Sequence, residues 1–183
     1  MTVRHCQHQL LQVNVDWLRQ ASNLLQRIDD RTYAEPPAGL APHRVGAHLR
    51  HILEFYECFL AGLEWSHIDY DARKRDQSVE TSRSTAIERI RSIVNRLLSA
   101  PELNGDSIIF VRMEDAPLDG DGDPFLTSSI GRELQVLSSH TIHHFALIAV
   151  TLQAHGLKVD ADFGTAPSTL RYRAVTRAKS EAA

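Results

Sequence analysis

The sequence has 183 residues, of which 43% are hydrophobic and 23% charged, and its formal net charge is −3 with neutral histidines. These values are typical of one globular domain, so we expect a single domain over residues 1–183. The near balance of basic and acidic residues argues against a nucleic-acid partner and against anionic membranes. Two cysteines are too few for a disulfide framework. With no apolar leader and no apolar run longer than residues 145–150, the sequence predicts a cytoplasmic protein without a membrane segment.

Three amphipathic helices are predicted in the first part of the chain. Apolar residues recur every three or four positions over residues 9–28 and again over residues 43–63. Residues 69–84 are polar and show no apolar period, so we expect a connection there. A Thr-x-x-Glu capping box at residues 85–88 then predicts a third helix, which the proline at position 101 ends.

The apolar period changes after the third predicted helix. Residues 107–113 are rich in β-branched side chains, and residues 124–127 form a second short extended segment. We therefore expect a small β-hairpin or a structured loop before the last long helix. Asp119, Asp121 and Asp123 alternate with glycine between the two segments. This pattern indicates a polar turn rather than a calcium loop, because no glutamate follows at the twelfth position.

A fourth long helix is predicted from an N-cap at Ser128 or Ser129 to about His155, where Gly156 would end it. We expect residues 157–183 to form an irregular C-terminal tail. Four long helices with one apolar stripe each bury those stripes best against one another. The sequence therefore predicts an all-α fold built on a four-helix bundle.

Histidines are concentrated on the second and fourth predicted helices. Five of the ten in the chain lie there: His48, His51, His140, His143 and His144. His140 and His144 are one turn apart and project about 40° from each other, so both can present a ring nitrogen to one ion. His143 projects about 60° from His140 on the other side and fits the pair less well.

One more imidazole from the second helix, His51 or His48, would complete a three-histidine metal site in the bundle core. Three neutral imidazoles suit Zn, Fe, Ni or Cu and leave a coordination position open, as in catalytic sites. The alternative is that these histidines are hydrogen-bonded residues at the edge of the core and bind no metal.

The motifs His48-Leu49-Arg50-His51 and Ser139-His140-Thr141-Ile142-His143-His144 resemble those of the DinB/YfiT-like superfamily. The resemblance implies a four-helix bundle with up-down-down-up order, and members are often dimeric. It also implies a divalent metal ion held by one histidine of the second helix and the HxxxH pair of the fourth. Carried over to this chain, the ligands are His51, His140 and His144. His51 is preferred to His48 because related members with an HxxH motif use its second position.

The resemblance implies a metal-dependent enzyme with a divalent ion such as Zn, Ni or Fe. Some relatives transfer or add low-molecular-weight thiols, some isomerise thiol adducts, and some are hydrolases. We therefore expect a thiol transferase or a hydrolase-like enzyme that acts on a small molecule and forms a homodimer. The alternative is a non-enzymatic metal-binding or stress-response helical dimer with structural histidines.

Other polar residues give weaker signals. Arg50, Arg112 and Arg132 are candidates to bind a substrate carboxylate, although arginines on helix faces are commonly solvated. Cys58 is interpreted as a core residue, because no His–Asp type of partner near it in sequence marks it as a nucleophile. Cys6 lies between two histidines in residues 5–8, and we expect a mobile N-terminal turn there rather than a thiol–imidazole cluster.

Overall fold

The structure is a computed structural model that describes residues 3–100, 103, 105–113 and 125–181. Four long α-helices dominate the described residues: α1 (Val3–Arg27), α3 (Val45–Gly62), α5 (Arg83–Ser99) and α6 (Ile130–Ala154). Three further helices are α2 (Asp30–Ala34), α4 (Gln77–Thr81) and α7 (Pro167–Glu181). A 3-10 helix (Tyr70–Ala72) and three strands, β1 (His67–Asp69), β2 (Ile108–Arg112) and β3 (Leu126–Ser129), complete the fold. Of the predicted all-α fold, the mainly α-helical character is confirmed, and the strands add a small sheet to it.

The ends of the long helices follow local sequence signals. The side chain of Ser82 accepts a hydrogen bond from the backbone N–H of Thr85, so α5 begins earlier than the predicted capping box at Thr85. Ser129 accepts in the same way from the N–H of Arg132, as the sequence predicts for the start of α6. Gly156, with φ +79°, follows the end of α6. Within the described part of the chain, no helix combines the length and apolar character needed to cross a bilayer.

The apolar stripes of the four long helices face a common core. α3 packs against α5 and α6, and α1 packs against the same two helices. The largest fully buried side chains come from these helices and from the segments between them: Leu18, Leu25, Tyr33, Leu49, Ile52, Leu53, Tyr56, Phe59, Ile68, Tyr70, Ile93 and Phe145. The contact between α3 and α6 brings together the two helices that carry the histidine motifs.

A three-stranded sheet in the order β1-β2-β3 lies beside the helices. β2 and β3 are antiparallel, with Ile109 opposite Ser128, so the predicted β-hairpin is confirmed. Its second strand, β3, begins at Leu126 rather than at residue 124. The turn with Asp119, Asp121 and Asp123 lies outside the described residues.

The third strand and its neighbours correct the prediction that residues 69–84 are only a connection. β1 pairs with β2 in parallel, with Ile68 opposite Val111. The following residues form the 3-10 helix and α4, in which Tyr70 and Val79 are buried. Three residues of strand are too few to show an alternating pattern, and a parallel partner lies far away in sequence.

The C-terminal segment also differs from its prediction. Residues 157–183 were expected to be irregular, whereas α7 covers Pro167–Glu181. Every residue from 171 to 180 is exposed, so this helix buries no apolar stripe that a periodicity argument could detect. Before it, Phe163 stacks on Phe145 of α6 with ring centroids 4.6 Å apart. The segment that leads to α7 therefore packs on the outer side of α6.

Candidate metal centre

Two packed helices bring the candidate histidines together. His48 and His51 lie on α3, and His140, His143 and His144 lie on α6, which packs directly against α3. On both helices these residues flank buried apolar positions, so the imidazoles sit at the edge of the core. His48, His51, His140 and His144 are half-buried, whereas His143 is exposed.

His51, His140 and His144 converge as the sequence predicts. Each offers one ring nitrogen, and these three atoms all lie within 4.8 Å of one another. The Nε2 atoms of His140 and His144 are 3.1 Å apart. The ring of His51 has its centroid 4.9 Å from that of His140 and 4.7 Å from that of His144. Among the described residues, this is the cluster of histidine, cysteine and acidic side chains that could hold a metal ion.

The donor set fits a divalent transition metal. Zn–N bonds of about 2.1 Å at a tetrahedral angle separate two ligand nitrogens by about 3.4 Å, close to the distance between the paired Nε2 atoms. Imidazoles bind metal in the neutral form, so a site that keeps them neutral is prepared for an ion. Three such ligands leave a coordination position for water or a substrate.

Burial keeps the two histidines of α6 neutral at physiological pH. It lowers the pKa of His140 to about 4, and the neighbouring His51, His143 and Arg73 contribute in the same direction. The pKa of His144 is lowered to about 3, first by burial and then by His140 and the other nearby imidazoles. At pH 7 both side chains therefore carry a free lone pair for a metal.

The other two histidines of the motifs have different environments. His48 points its Nδ1 toward Nδ1 of His144 at 3.2 Å and is not a member of the converging set. Burial, then the neighbouring His43 and His143, lowers the pKa of His48. His143 meets His144 edge to face, with ring centroids 5.2 Å apart. The structure therefore groups His51, rather than His48, with the pair on α6.

An aromatic wall that the sequence analysis missed lies next to the histidines. The ring of Phe55 is 4.1 Å from that of His140 and stacks on Tyr70 at 4.9 Å. The hydroxyl of Tyr70 donates to the buried carboxylate of Glu133, which holds the wall against α6. The guanidinium of Arg73 lies 4.8 Å above Phe55. Phe55 follows His51 by four residues, so helical spacing was the signal that could have found it.

Two of the three candidate arginines are paired with carboxylates inside the molecule. Arg50 donates to Glu80 at 2.6 Å. Arg112 lies 3.9 Å from Asp69 and 3.6 Å from Asp71. Arg132 is exposed and lines a cavity of about 370 Å³ with Val111, Met113, Leu126, Thr127, Ser128, Glu133 and Val136. Internal carboxylates therefore neutralise the two paired candidates, which leaves Arg132 as the better candidate for a substrate anion.

The cysteines contribute no activated thiol within the described residues. Cys58 is half-buried and packs against the core, and burial raises the pKa of its thiol to about 11. A thiol with so high a pKa is almost fully protonated at pH 7 and is a poor nucleophile. The side chains of His5 and Cys6 lie outside the described residues, although their backbone belongs to α1 and does not form a separate turn.

Comparison with known proteins finds one partial relative. No family model matches the sequence, and no solved structure matches it. The chain is 35% identical over 105 residues to FK506-binding protein 5 of Rhizopus delemar, in an alignment that covers 57% of this chain and 27% of that protein. The chain thus spans about a quarter of the length of this curated relative. The interpretation of the site accordingly rests on its own geometry.

Proposed function

We propose that the protein is a metal-dependent enzyme of the DinB/YfiT-like type, with His51, His140 and His144 as ligands of one divalent ion. The convergence of their ring nitrogens within 4.8 Å is the observation that carries the proposal. The low pKa values of His140 and His144 support it, because both imidazoles remain available as neutral ligands. Zn, Ni and Fe are among the ions that this donor set suits.

The arrangement of the long helices supports a four-helix bundle with up-down-down-up order over the single domain 1–183. α1 and α3 each pack against both α5 and α6. Residues 63–82 between α3 and α5 hold β1, the 3-10 helix and α4. A connection of this length can return the chain to the end where α3 began, so that α3 and α5 run in the same direction. By resemblance to the same superfamily, we propose a homodimer.

The chemistry proposed for the site is activation of a small molecule. A divalent ion bound by three imidazoles would supply a Lewis acid that lowers the pKa of a coordinated water or thiol. The protein itself orients the ligands, and the ring of Phe55 packs against His140 with centroids 4.1 Å apart. We propose a low-molecular-weight thiol as the substrate, so that the reaction is a thiol transfer, with hydrolysis by a coordinated water as the second possibility.

Metal analysis of protein purified without an affinity tag tests the proposed site. We expect about one zinc, nickel or iron ion per chain in the wild type and in His143→Ala, and much less than one in His144→Ala. His143→Ala is the matched control, because it removes an exposed imidazole one position away. Wild-type protein that takes up no ion after incubation with each metal, or equal metal in His144→Ala, would contradict the proposal.

A cobalt-substituted protein tests the proposed thiol substrate separately. Addition of a low-molecular-weight thiol to the Co²⁺-loaded wild type should produce a sulfur-to-cobalt charge-transfer absorption band, since the fourth position is open. Loss of the band on addition of an equal amount of zinc would show that the thiol binds at the same ion. If the band does not appear at saturating thiol, the thiol does not bind the ion and the proposed thiol transfer is wrong, which leaves hydrolysis by a coordinated water.

A further inference from the structure

His144 is in contact with another imidazole at each of its two ring nitrogens. Its Nε2 lies 3.1 Å from Nε2 of His140, on the side where the proposed ligands converge. Its Nδ1 lies 3.2 Å from Nδ1 of His48 on α3. We propose that His48 is a positioning residue that accepts a hydrogen bond from the Nδ1–H of His144. This inference rests on the proposed function, because it concerns how a metal ligand is held.

The role of His48 depends on which ring nitrogen of the neutral His144 carries the hydrogen. A neutral ring carries one hydrogen, and the nitrogen that binds a metal must present its lone pair. If Nε2 of His144 is the ligand atom, the hydrogen is on Nδ1 and needs an acceptor. Metal-bound histidines commonly donate their second N–H to a nearby acceptor, which sets the tautomer and the ring orientation. The Nδ1 lone pair of His48 is placed to be that acceptor, which puts the hydrogen of His48 on Nε2, a buried atom with no hydrogen-bond partner among the described residues.

The geometry also separates the roles of the two histidines on α3. His48 and His51 are one turn apart on the same side of α3, so both face α6. Only His51 belongs to the set that converges with His140 and His144, whereas His48 reaches the far side of the His144 ring. One helix therefore supplies a ligand to the ion and an acceptor to a second ligand.

His48 is itself held in place, and the two histidines of α6 are held differently. The exposed ring of His43 stacks on His48 with a centroid distance of 5.8 Å and an interplanar angle of 6°. Nδ1 of His140 is buried and has no hydrogen-bond partner among the described residues, so packing against Phe55 orients that ring. Loss of His48 should therefore affect the orientation of His144 and leave that of His140 unchanged.

Zinc affinity in three variants tests the role of His48. We expect His48→Ala to keep about one ion per chain but to bind it about 10- to 100-fold more weakly, measured by competition with a chromophoric chelator. In His48→Asn the side-chain oxygen occupies the place of Nδ1, so we expect an affinity within about threefold of wild type. His67→Ala, which removes an exposed imidazole of β1 outside the converging set, should also stay within about threefold.

A measurement on wild-type protein is independent of how the variants fold. In zinc-loaded protein labelled with ¹⁵N-histidine, nuclear magnetic resonance should show the hydrogen of His144 on Nδ1 and a nitrogen–nitrogen hydrogen bond to His48. A hydrogen on Nε2 of His144 would overturn the inference. So would wild-type affinity in His48→Ala, or an affinity in His48→Asn as weak as that in His48→Ala.

The outcomes distinguish this inference from the function on which it rests. If His48→Ala binds zinc as tightly as wild type while His51→Ala loses it, the metal site stands and the role of His48 is wrong. If His48→Ala loses the ion entirely while His51→Ala retains it, His48 is a ligand and the assignment on α3 is reversed. If wild type binds no divalent metal, both proposals fail together.

Discussion

The half-buried imidazoles of His140 and His144 link the metal site to the stability of the fold. Their side chains are withdrawn from water at the edge of the α3–α6 contact, so the charged form of each is disfavoured. The pKa of His140 falls to about 4 and that of His144 to about 3, whereas a histidine in an unfolded chain titrates near 6.5. The same environment that keeps them available to a metal therefore makes the metal-free protein sensitive to acid.

Proton linkage determines how the free energy of unfolding of the metal-free protein changes with pH. Well above pH 6.5 the two imidazoles are neutral in both the folded and the unfolded states, and they cause no pH dependence. As pH falls from about 6.5 toward 4, the unfolded chain takes up protons at these residues and the folded protein does not. The free energy of unfolding of the metal-free protein therefore decreases through this interval.

Urea unfolding at several pH values tests the effect. We expect metal-free wild type to lose more stability between about pH 7 and pH 4.5 than the double variant His140→Asn/His144→Asn, which lacks both groups. Carboxylates that are common to the two proteins cancel in the comparison. Identical pH dependence in both proteins would show that the two imidazoles are not kept neutral by the fold.

At the scale of the helices, a buried polar network connects α1, α3 and α6 beside the histidines. The side-chain amide of Asn14 on α1 donates to the carbonyls of Leu10 and Leu134, at 2.8 Å and 2.9 Å. Its oxygen accepts from the Tyr56 hydroxyl of α3 at 2.7 Å. That hydroxyl lies 3.3 Å from Oγ1 of Thr141, the residue after His140. The network fixes the relative positions of the helices that carry the ligands.

We expect Asn14→Ala to lower the free energy of unfolding by about 3 kcal/mol, because it leaves the buried Tyr56 hydroxyl without its acceptor and opens a small cavity. Tyr56→Phe should lower the free energy of unfolding by about 1 kcal/mol. The double variant should lower it by less than the sum of the two single effects, because the two side chains share one hydrogen bond. Urea unfolding measures all three values, and strict additivity would contradict the proposed coupling.

The long helices were predictable because each carries an apolar stripe over several turns. The short β1 was not, since three residues show no alternation and its parallel partner, β2, begins about 40 residues later. α7 was missed for the opposite reason, because it packs too little of its surface to show a period. Local patterns therefore identified the elements that form the core and missed those defined by distant or sparse contacts.

The candidate site was predictable to a similar extent. The spacing of His140 and His144 alone indicates a pair on one face of α6. The choice between His48 and His51 depends on how α3 is rotated against α6, which no local pattern contains. The contact between His48 and His144 and the wall formed by Phe55 and Tyr70 depend on the same rotation.

At the scale of the whole molecule, the C-terminal segment consists of a packed part and a solvated part. Phe163 stacks on Phe145, and a Cβ placed on Gly164 would lie 2.6 Å from that of Phe145, so the backbone approaches α6 closely there. The N–H of Gly164 donates to the side chain of Gln20 at 3.3 Å. Residues 171–180 of α7 are all exposed. Only the part before α7 therefore contributes substantially to the core.

Removal of residues 167–183 should change the free energy of unfolding by less than about 0.5 kcal/mol, because surface contacts away from the core contribute little. Phe163→Ala should cost about 2 kcal/mol through the lost stacking and buried area. Thermal and urea unfolding of the two variants measure both changes in the free energy of unfolding. A large loss on truncation would show that α7 packs against the rest of the molecule in solution.

The most direct test of the three-histidine site is anomalous scattering from crystals soaked with zinc and measured on both sides of its absorption edge. The site predicts one strong peak per chain, about 2.1 Å from a ring nitrogen of each of His51, His140 and His144. His48 should lie outside the coordination sphere, with its Nδ1 against that of His144. Absence of a peak at these residues, or a peak coordinated by His48 in place of His51, would contradict the account.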